Sequence, residues 1–270
     1  MSPTPDEIKL RLELAVAAAR EAGDITLRYF QRDDLEVELK QDASPVTIAD
    51  RQSEQHLRSR ILETFPGDGV LGEEFPETTG ESGFRWILDP IDGTKSFVSG
   101  VPLYGTLVAV EWERKAVVGV INIPGLDEFV YAATGLGAWH VHGGAAPKPA
   151  RVSQKSQLSD GLFCLCEVTT FNKTARREAY ERLQAATRLT RTWGDCYGYL
   201  LVATGRAELM VDPVMNVWDA AAIQPILEES GGTFTDWQGR PSIHSREGIA
   251  TNGRVLEEVL AITRDYPPAL

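Results

Sequence analysis

The segment RWILDPIDGTKSF, residues 85 to 97, constrains this chain more than any other. An apolar strand stub, Trp86-Ile87-Leu88, delivers Asp89 and Asp92 into a turn. Pro90 fixes one backbone torsion, and Gly93 can take the positive torsion that residues with a side chain resist. The corner is therefore expected to be rigid, with both acids on its inner side. Two carboxylates held together need a cation, and oxygen ligands with no Cys or His beside them suit a hard ion such as Mg²⁺. The GTKS that follows opens a helix whose free N–H groups would attract an anion such as phosphate. Taken alone, the corner also fits an ordinary type I turn.

The rest of the chain fits a layered α/β protein. Apolar residues recur at spacings of three and four from Thr4 to Phe30, and a second helix is expected from Thr47 to Phe65, ended by Pro66-Gly67. Strand candidates follow at GVLGEE, RWILD, YGTLVAVEW, AVVGVINI and EFVYAAT. The stretch GGAAPKPA, residues 143 to 150, is either a linker or a protruding hairpin. Beyond it come a strand at LFCLCEV, a helix over 174 to 187, a helix start at WGDCYGYLLVATG, a strand at AELMVD, a helix from Trp218 to Ser230 and a strand at GGTFTDW. The 270 residues then form one unit of two α+β halves, about 1–144 with the metal and phosphate motifs and 145–270 for substrate recognition.

Charge and composition remove several function classes. With 27 Lys and Arg against 39 Asp and Glu, the net charge of −12 opposes binding to nucleic acid or anionic lipid. No run of eighteen apolar residues is present to span a membrane, and no signal peptide is recognisable, so a cytoplasmic location is expected. Cys164, Cys166 and Cys196 lack the spacing of a metal site or disulfide framework; Cys164 and Cys166 are expected on one sheet face, both buried. His140 and His142 in WHVHG would share a strand face, and no role is assigned to them.

Further acids stand in settings like those of the corner. Glu73 and Glu74 follow a strand end, where adjacent side chains point oppositely and at most one should face a site. Asp219 lies in the first turn of a helix, as does Asp50, places that favour a carboxylate with or without a ligand. With GEE at 72 to 74, WILDPIDGT at 86 to 94, WDAAA…EESGG at 218 to 232 and SPVTIAD at 44 to 50, the chain resembles the inositol monophosphatase superfamily of Mg²⁺-dependent, lithium-sensitive phosphatases. FVSGVPLYGTLVAV, WGDCYGYLLVATG and VDPVMNVWDAA make it most similar to the histidinol-phosphate phosphatase branch.

The resemblance implies an αβαβα sandwich with mixed sheets, usually a homodimer, acting on a small phosphate monoester with two or three Mg²⁺ ions. Glu73, Asp89 and the backbone carbonyl of Ile91 would hold the first ion; Asp89, Asp92 and Asp219 the second. Gly93 and Thr94 would bind the phosphate, with Lys95 or Ser96 assisting. Thr94, bonded to Asp50, and Glu73 would orient the attacking water. Asp195 and Asp212, joined on the substrate side by Asp92 and Asp219, are the candidates to recognise a cationic substrate end, with Arg191 pairing with Asp212. For Asp195 an N-cap is the plain alternative. Histidinol phosphate is the expected substrate, inositol 1-phosphate or another small monoester the alternative. Some superfamily members act as partners in transcription complexes, but here every expected ligand position is filled.

Overall fold

The computed structural model describes residues 2–268. Thr4 opens the first helix, α1 (Pro5–Leu27), through a reciprocal cap in which Thr4 Oγ1 accepts from Glu7 N and Glu7 accepts from Thr4 N. A short hairpin, β1 (Val37–Leu39) and β2 (Pro45–Thr47), leads into α2 (Ile48–Thr64). Then come β3 (Gly69–Gly72), β4 (Phe84–Asp92), α3 (Thr94–Val98), β5 (Gly105–Trp112), β6 (Lys115–Ile123), β7 (Glu128–Ala133), β8 (Gly137–His142) and β9 (Lys148–Pro149). Strands β3 to β9 form one seven-stranded sheet in sequence order, parallel at β3–β4 and antiparallel elsewhere. The stretch 143 to 150 is thus the tip and return of a hairpin rather than a linker.

The remaining elements are β10 (Leu162–Cys164), α4 (Val168–Lys173), α5 (Arg177–Ala186), β11 (Leu189–Arg191), α6 (Asp195–Ala203), β12 (Leu209–Asp212), α7 (Val217–Ala221), α8 (Ile223–Ser230), β13 (Thr233–Thr235), β14 (Gly248–Thr251) and α9 (Leu256–Thr263). Their strands make a five-stranded mixed sheet in the order β11-β10-β12-β14-β13. The helix expected from Trp218 to Ser230 is interrupted at Ala222, because Pro225 has no N–H to donate to the Ala221 carbonyl. The helix expected over 174 to 187 is α5, which starts only at Arg177, and Ala175 at φ 56° separates it from the short α4 that precedes it.

Strand alternation sorts the side chains into layers. Trp86, Leu88, Val108, Val110, Val118 and Val120 pack on α1 and α2, whereas Ile87, Leu107, Ala109, Ile121 and Ala132 face α6, α7 and α8. From the second sheet, Cys164, Met210, Phe234 and Ala250 meet those central helices, while Phe163, Leu209, Val211 and Ile249 pack with Phe171, Ala179, Leu183 and Val259 of α4, α5 and α9. The order is helix, sheet, helix, sheet, helix, the sandwich expected. Because both faces of each sheet are covered, the strands read as apolar runs. The same alternation turns Asp89 toward the central helices.

A row of small residues, Ala109, Gly119, Ala132 and Ala138, runs across β5 to β8 in register and seats the α7–α8 junction. A Cβ on Gly119 would stand 2.1 Å from the Ala222 carbonyl oxygen, and backbone lies on both sides. Gly119→Ala is therefore expected to destabilise the fold by roughly 1–3 kcal/mol through overpacking, read as a lower urea midpoint. An unchanged midpoint would show that the helix does not need this close approach.

Candidate metal centre

At the end of β4 the pairing with β5 slips, Asp89 opposing Leu107 but Asp92 opposing Gly105, so three steps on β4 match two on β5. This bulge at Pro90-Ile91, where proline has no ladder N–H to offer, brings both aspartates to the inner face. Gly93 then turns the chain at φ 83°, ψ 40° into α3. Asp219, in the first turn of α7, completes the group: one carboxylate oxygen each from Asp89, Asp92 and Asp219 lies within 4.8 Å of the others. Glu73 stands next to this trio, hydrogen-bonded to Asp89. An all-oxygen set of carboxylates at this spacing fits hard divalent cations.

Each carboxylate is also anchored by backbone N–H groups. Asp89 Oδ1 accepts from Ile91 N at 3.1 Å, Asp92 Oδ2 accepts from Cys196 N, and Asp219 Oδ2 accepts from Asn216 N at 2.6 Å. Asp219 is therefore both an N-terminal cap and a member of the cluster. Burial, followed by the charges of the neighbouring acids, pushes the Asp89 and Asp92 carboxyls far above the ordinary aspartate range. Asp219 is raised to about 7, chiefly by burial and then by Glu73 and Asp212.

Asp50, Asp195, Asp212 and Glu74 behave in different ways. Asp50 caps α2, accepting from Thr47 N at 2.8 Å and Thr47 Oγ1 at 2.6 Å, and burial lifts it to about 6. The Thr94 hydroxyl donates to the Ile91 carbonyl at 3.0 Å, so the expected Thr94–Asp50 hydrogen bond is replaced by two local ones. Glu73 and Glu74 do not divide between site and solvent: both reach Lys40 Nζ, at 2.7 and 2.5 Å. Burial alone would lower the Lys40 pKa, and the two carboxylates reverse this and raise it. Glu74 is pushed up to about 7, by burial first, despite Lys40.

The trio opens into a cavity of about 170 Å³ lined by Asp92, Lys95, Cys166, Glu167, Asp195, Tyr199, Asp212 and Asp219, with Thr170, Val214 and Met215 completing the wall. Asp195 opens α6 in the left-handed region, φ 50°, and a Cβ on Gly93 would lie 2.9 Å from its Oδ2, so its carboxylate sits against the corner glycine. It makes no N-cap hydrogen bond. Asp212 is held by Tyr199 OH at 2.8 Å and by Cys166; burial raises it to about 6. Arg191 does not pair with Asp212: it is exposed, and its Nη1 donates to the Thr190 carbonyl. Strand β11 ends at Arg191, on the outer edge of the second sheet, which directs it away from the cavity.

Cys166 departs from expectation as well. Strand β10 stops at Cys164, and two residues later the Cys166 thiol lines the cavity, accepting from Asp195 N at 3.1 Å. A side chain on Gly194 is barred here, since its Cβ would stand 2.4 Å from Cys166 Cα. Sequence reasoning missed Lys40, Cys166, Glu167 and Thr170. Lys40 lies four residues before SPVTIAD, and Cys166 continues the parity of Cys164, but neither carries a motif.

A sequence model of the inositol monophosphatase family matches residues 8–267. The chain belongs to that family. Among its relatives, the histidinol-phosphatase of Chlorobaculum parvum is 44% identical over 94% of both chains. That of Mycobacterium tuberculosis is 38% identical over 92% of this chain and 96% of the relative. Among solved family structures, the extragenic suppressor protein SuhB of Bartonella henselae superposes with a TM-score of 0.86 at 29% identity, over 95% of this chain and 99% of that one. An inositol monophosphatase from Zymomonas mobilis gives 0.82 at 32% identity, over 97% and 99%. The layered fold is thus the family fold.

The raised carboxyls set a pH dependence. Without divalent ions, Asp219 at about 7 and Asp212 and Asp50 at about 6 keep protons that unfolded aspartates, near 3.9, release. The folded chain binds more protons than the unfolded one between about pH 4 and pH 7, so this contribution to stability is present below that window and lost as pH rises through it. Divalent ions need the ionised carboxylates, so the rise in melting temperature on adding Mg²⁺ should be larger at about pH 8 than at about pH 5. Equal rises, measured against a chelated control, would contradict a carboxylate centre.

Proposed function

We propose that this protein is a Mg²⁺-dependent phosphatase that hydrolyses histidinol phosphate to histidinol and inorganic phosphate. The observation that carries this is that the Asp89–Asp92–Asp219 trio opens, through Asp92 and Asp219, into a cavity lined by three more acids, Glu167, Asp195 and Asp212. The first group suits metal-assisted phosphate chemistry, the second a cationic substrate end, and histidinol phosphate carries an amine and an imidazole beyond its phosphate. Relatives at 44%, 38% and 37% identity bear the name histidinol-phosphatase, which supports the same reading.

In this reading Glu73, Asp89 and the Ile91 carbonyl would hold one Mg²⁺, and Asp89, Asp92 and Asp219 would hold another. When bound, the ions supply charge neutralisation, polarise the phosphoryl group and lower the pKa of water. Gly93 and Thr94 present main-chain N–H groups at the first turn of α3 to the phosphoryl oxygens. The Thr94 hydroxyl spends its proton on the Ile91 carbonyl, so its lone pairs are free to accept from the attacking water. Glu73 takes the proton of that water. The alkoxide leaves on the opposite side, toward the cavity, and takes a proton from water there to become the alcohol.

Asp195 faces the substrate from a strained backbone position beside Gly93, and Asp212 is fixed for the same task by Tyr199 and Cys166. Glu167 waits at the rim, 3.7 Å from Lys95 Nζ.

Released phosphate measured over a small panel, with and without Mg²⁺, tests the reaction. Asp89→Asn should cut turnover on every substrate by about a hundredfold or more, roughly 3 kcal/mol, with the fold kept. Near-normal rates in saturating Mg²⁺ would reject Asp89 as a ligand. Asp195→Ala should raise KM for histidinol phosphate about tenfold, roughly 1.4 kcal/mol, while leaving an aryl phosphate almost unaffected. Equal losses on both would remove Asp195 from substrate recognition without touching the phosphatase assignment.

A further inference from the structure

The WHVHG histidines have no part in the acidic cavity, yet they line another. Between β7, β8, β9 and the C-terminal end of α6 lies a cavity of about 510 Å³ lined by Glu128, His140, His142, Lys148, Pro149, Ala150, Arg151, Thr204 and Arg206. Its floor is built. His140 is buried, its Nε2 2.6 Å from Glu128 Oε1, and Arg206 Nη2 donates to the same oxygen at 2.6 Å. Arg206 Nε is fixed in turn on Thr204 Oγ1 at 2.9 Å. Burial works against the Glu128 carboxylate, but its hydrogen bonds and charge partners hold it below the ordinary glutamate range.

The walls are cationic and without counter-charge. Lys148 sits directly across from His140 in the β8–β9 pair, and no carboxylate among the described residues pairs with it. Arg151 donates only to the carbonyls of Ala150 and Glu229. The Glu229 carboxylate is occupied elsewhere, accepting from the amides of Gly135 and Gly137. Lys148, Arg151 and Arg206 against Glu128 alone leave a surplus of two positive charges, on a chain whose net charge is −12. Such an inversion of the local field, in a concave site with one arginine already oriented, matches a doubly charged oxyanion.

We propose that this cavity is an anion site, separate from the metal centre, that takes a phosphate group, either as the free ion or at the end of a small phosphorylated molecule. Lys148 supplies a mobile point charge at the mouth, Arg151 and Arg206 the guanidinium donors, and the His140–Glu128 pair the rigid base against which Arg206 is held. The inference does not rest on the proposed substrate.

The test is calorimetric titration of inorganic phosphate into the full-length protein freed of divalent ions, when the acidic cavity repels phosphate. One site is expected. Its Kd should weaken at least tenfold in a Lys148→Ala, Arg151→Ala double variant, whose changes are on exposed side chains, and stay unchanged in Asp89→Asn. Phenyl phosphate, titrated the same way, distinguishes the two sources: binding equal to that of phosphate means that the site accepts an esterified group, and no binding means that it holds the free ion. The proposal is overturned if no heat is seen, if binding survives the double variant, if Asp89→Asn abolishes it, or if chloride at matched ionic strength or the dicarboxylate malonate competes as well as phosphate.

Discussion

Carboxylates that would repel one another are held together between two sheets, and most of the local architecture is an answer to that repulsion. Asp89, Asp92 and Asp219 come from a strand end and a helix start, each fixed by at least one main-chain N–H, from Ile91, Cys196 and Asn216. Those amides lie at a bulge or at helix starts, and that of Glu74, bonded to Glu54, in the bend after β3, all places where N–H groups lack partners in the regular ladder. The first turn of α6 gives Cys196 N to Asp92 and that of α7 carries Asp219, so the favourable ends of two helices face the trio. Cations complete the neutralisation. The residual repulsion appears as carboxyls raised above their usual range.

Lys40 shows how the chain meets part of this demand itself. Its ammonium is delivered by the turn between β1 and β2, a hairpin whose β1 residues are all exposed and whose hold on the body includes this contact with Glu73 and Glu74. A lysine that bridges two adjacent glutamates explains why Glu73 and Glu74 do not point to opposite sides. The strand has already ended at Gly72, so the alternation that would separate them no longer applies.

What could be read from the sequence follows from how local the cause is. The helices of the first half, the strands β3 to β7 and the DPIDG corner were legible because apolar period, capping residues and turn residues act within a few positions. Asp89 and Asp92 were legible from that corner itself, but Glu73 and Asp219 only through motif order, since nothing in composition says that residues 73 and 219 meet. Arg191 was misjudged because its strand forms the outer edge of the second sheet, a placement set by long-range pairing with β10. Thr94 and Asp50 were joined in expectation although each had a nearer partner, Ile91 and Thr47. Strand β14, helix α9 and the β1–β2 hairpin went unread because each is short and takes its stability from what it packs on or pairs with.

Helix α6 relates the two cavities. Its first turn gives Cys196 N to Asp92 and carries Asp195 into the acidic pocket, and just past its last turn Thr204 and Arg206 line the basic one. Nine residues at 1.5 Å each put about 14 Å between these ends, beyond the ~8 Å screening length of physiological salt. Direct attraction between acidic and basic clusters across that span is therefore weak, and neither cavity neutralises the other. The arrangement instead follows the helix dipole: carboxylates gather at the positive end and cations at the negative end, each favourable within the last turn. Opposite charge requirements can thus coexist on one short helix because each is settled locally, with the apolar middle of α6 buried between the sheets.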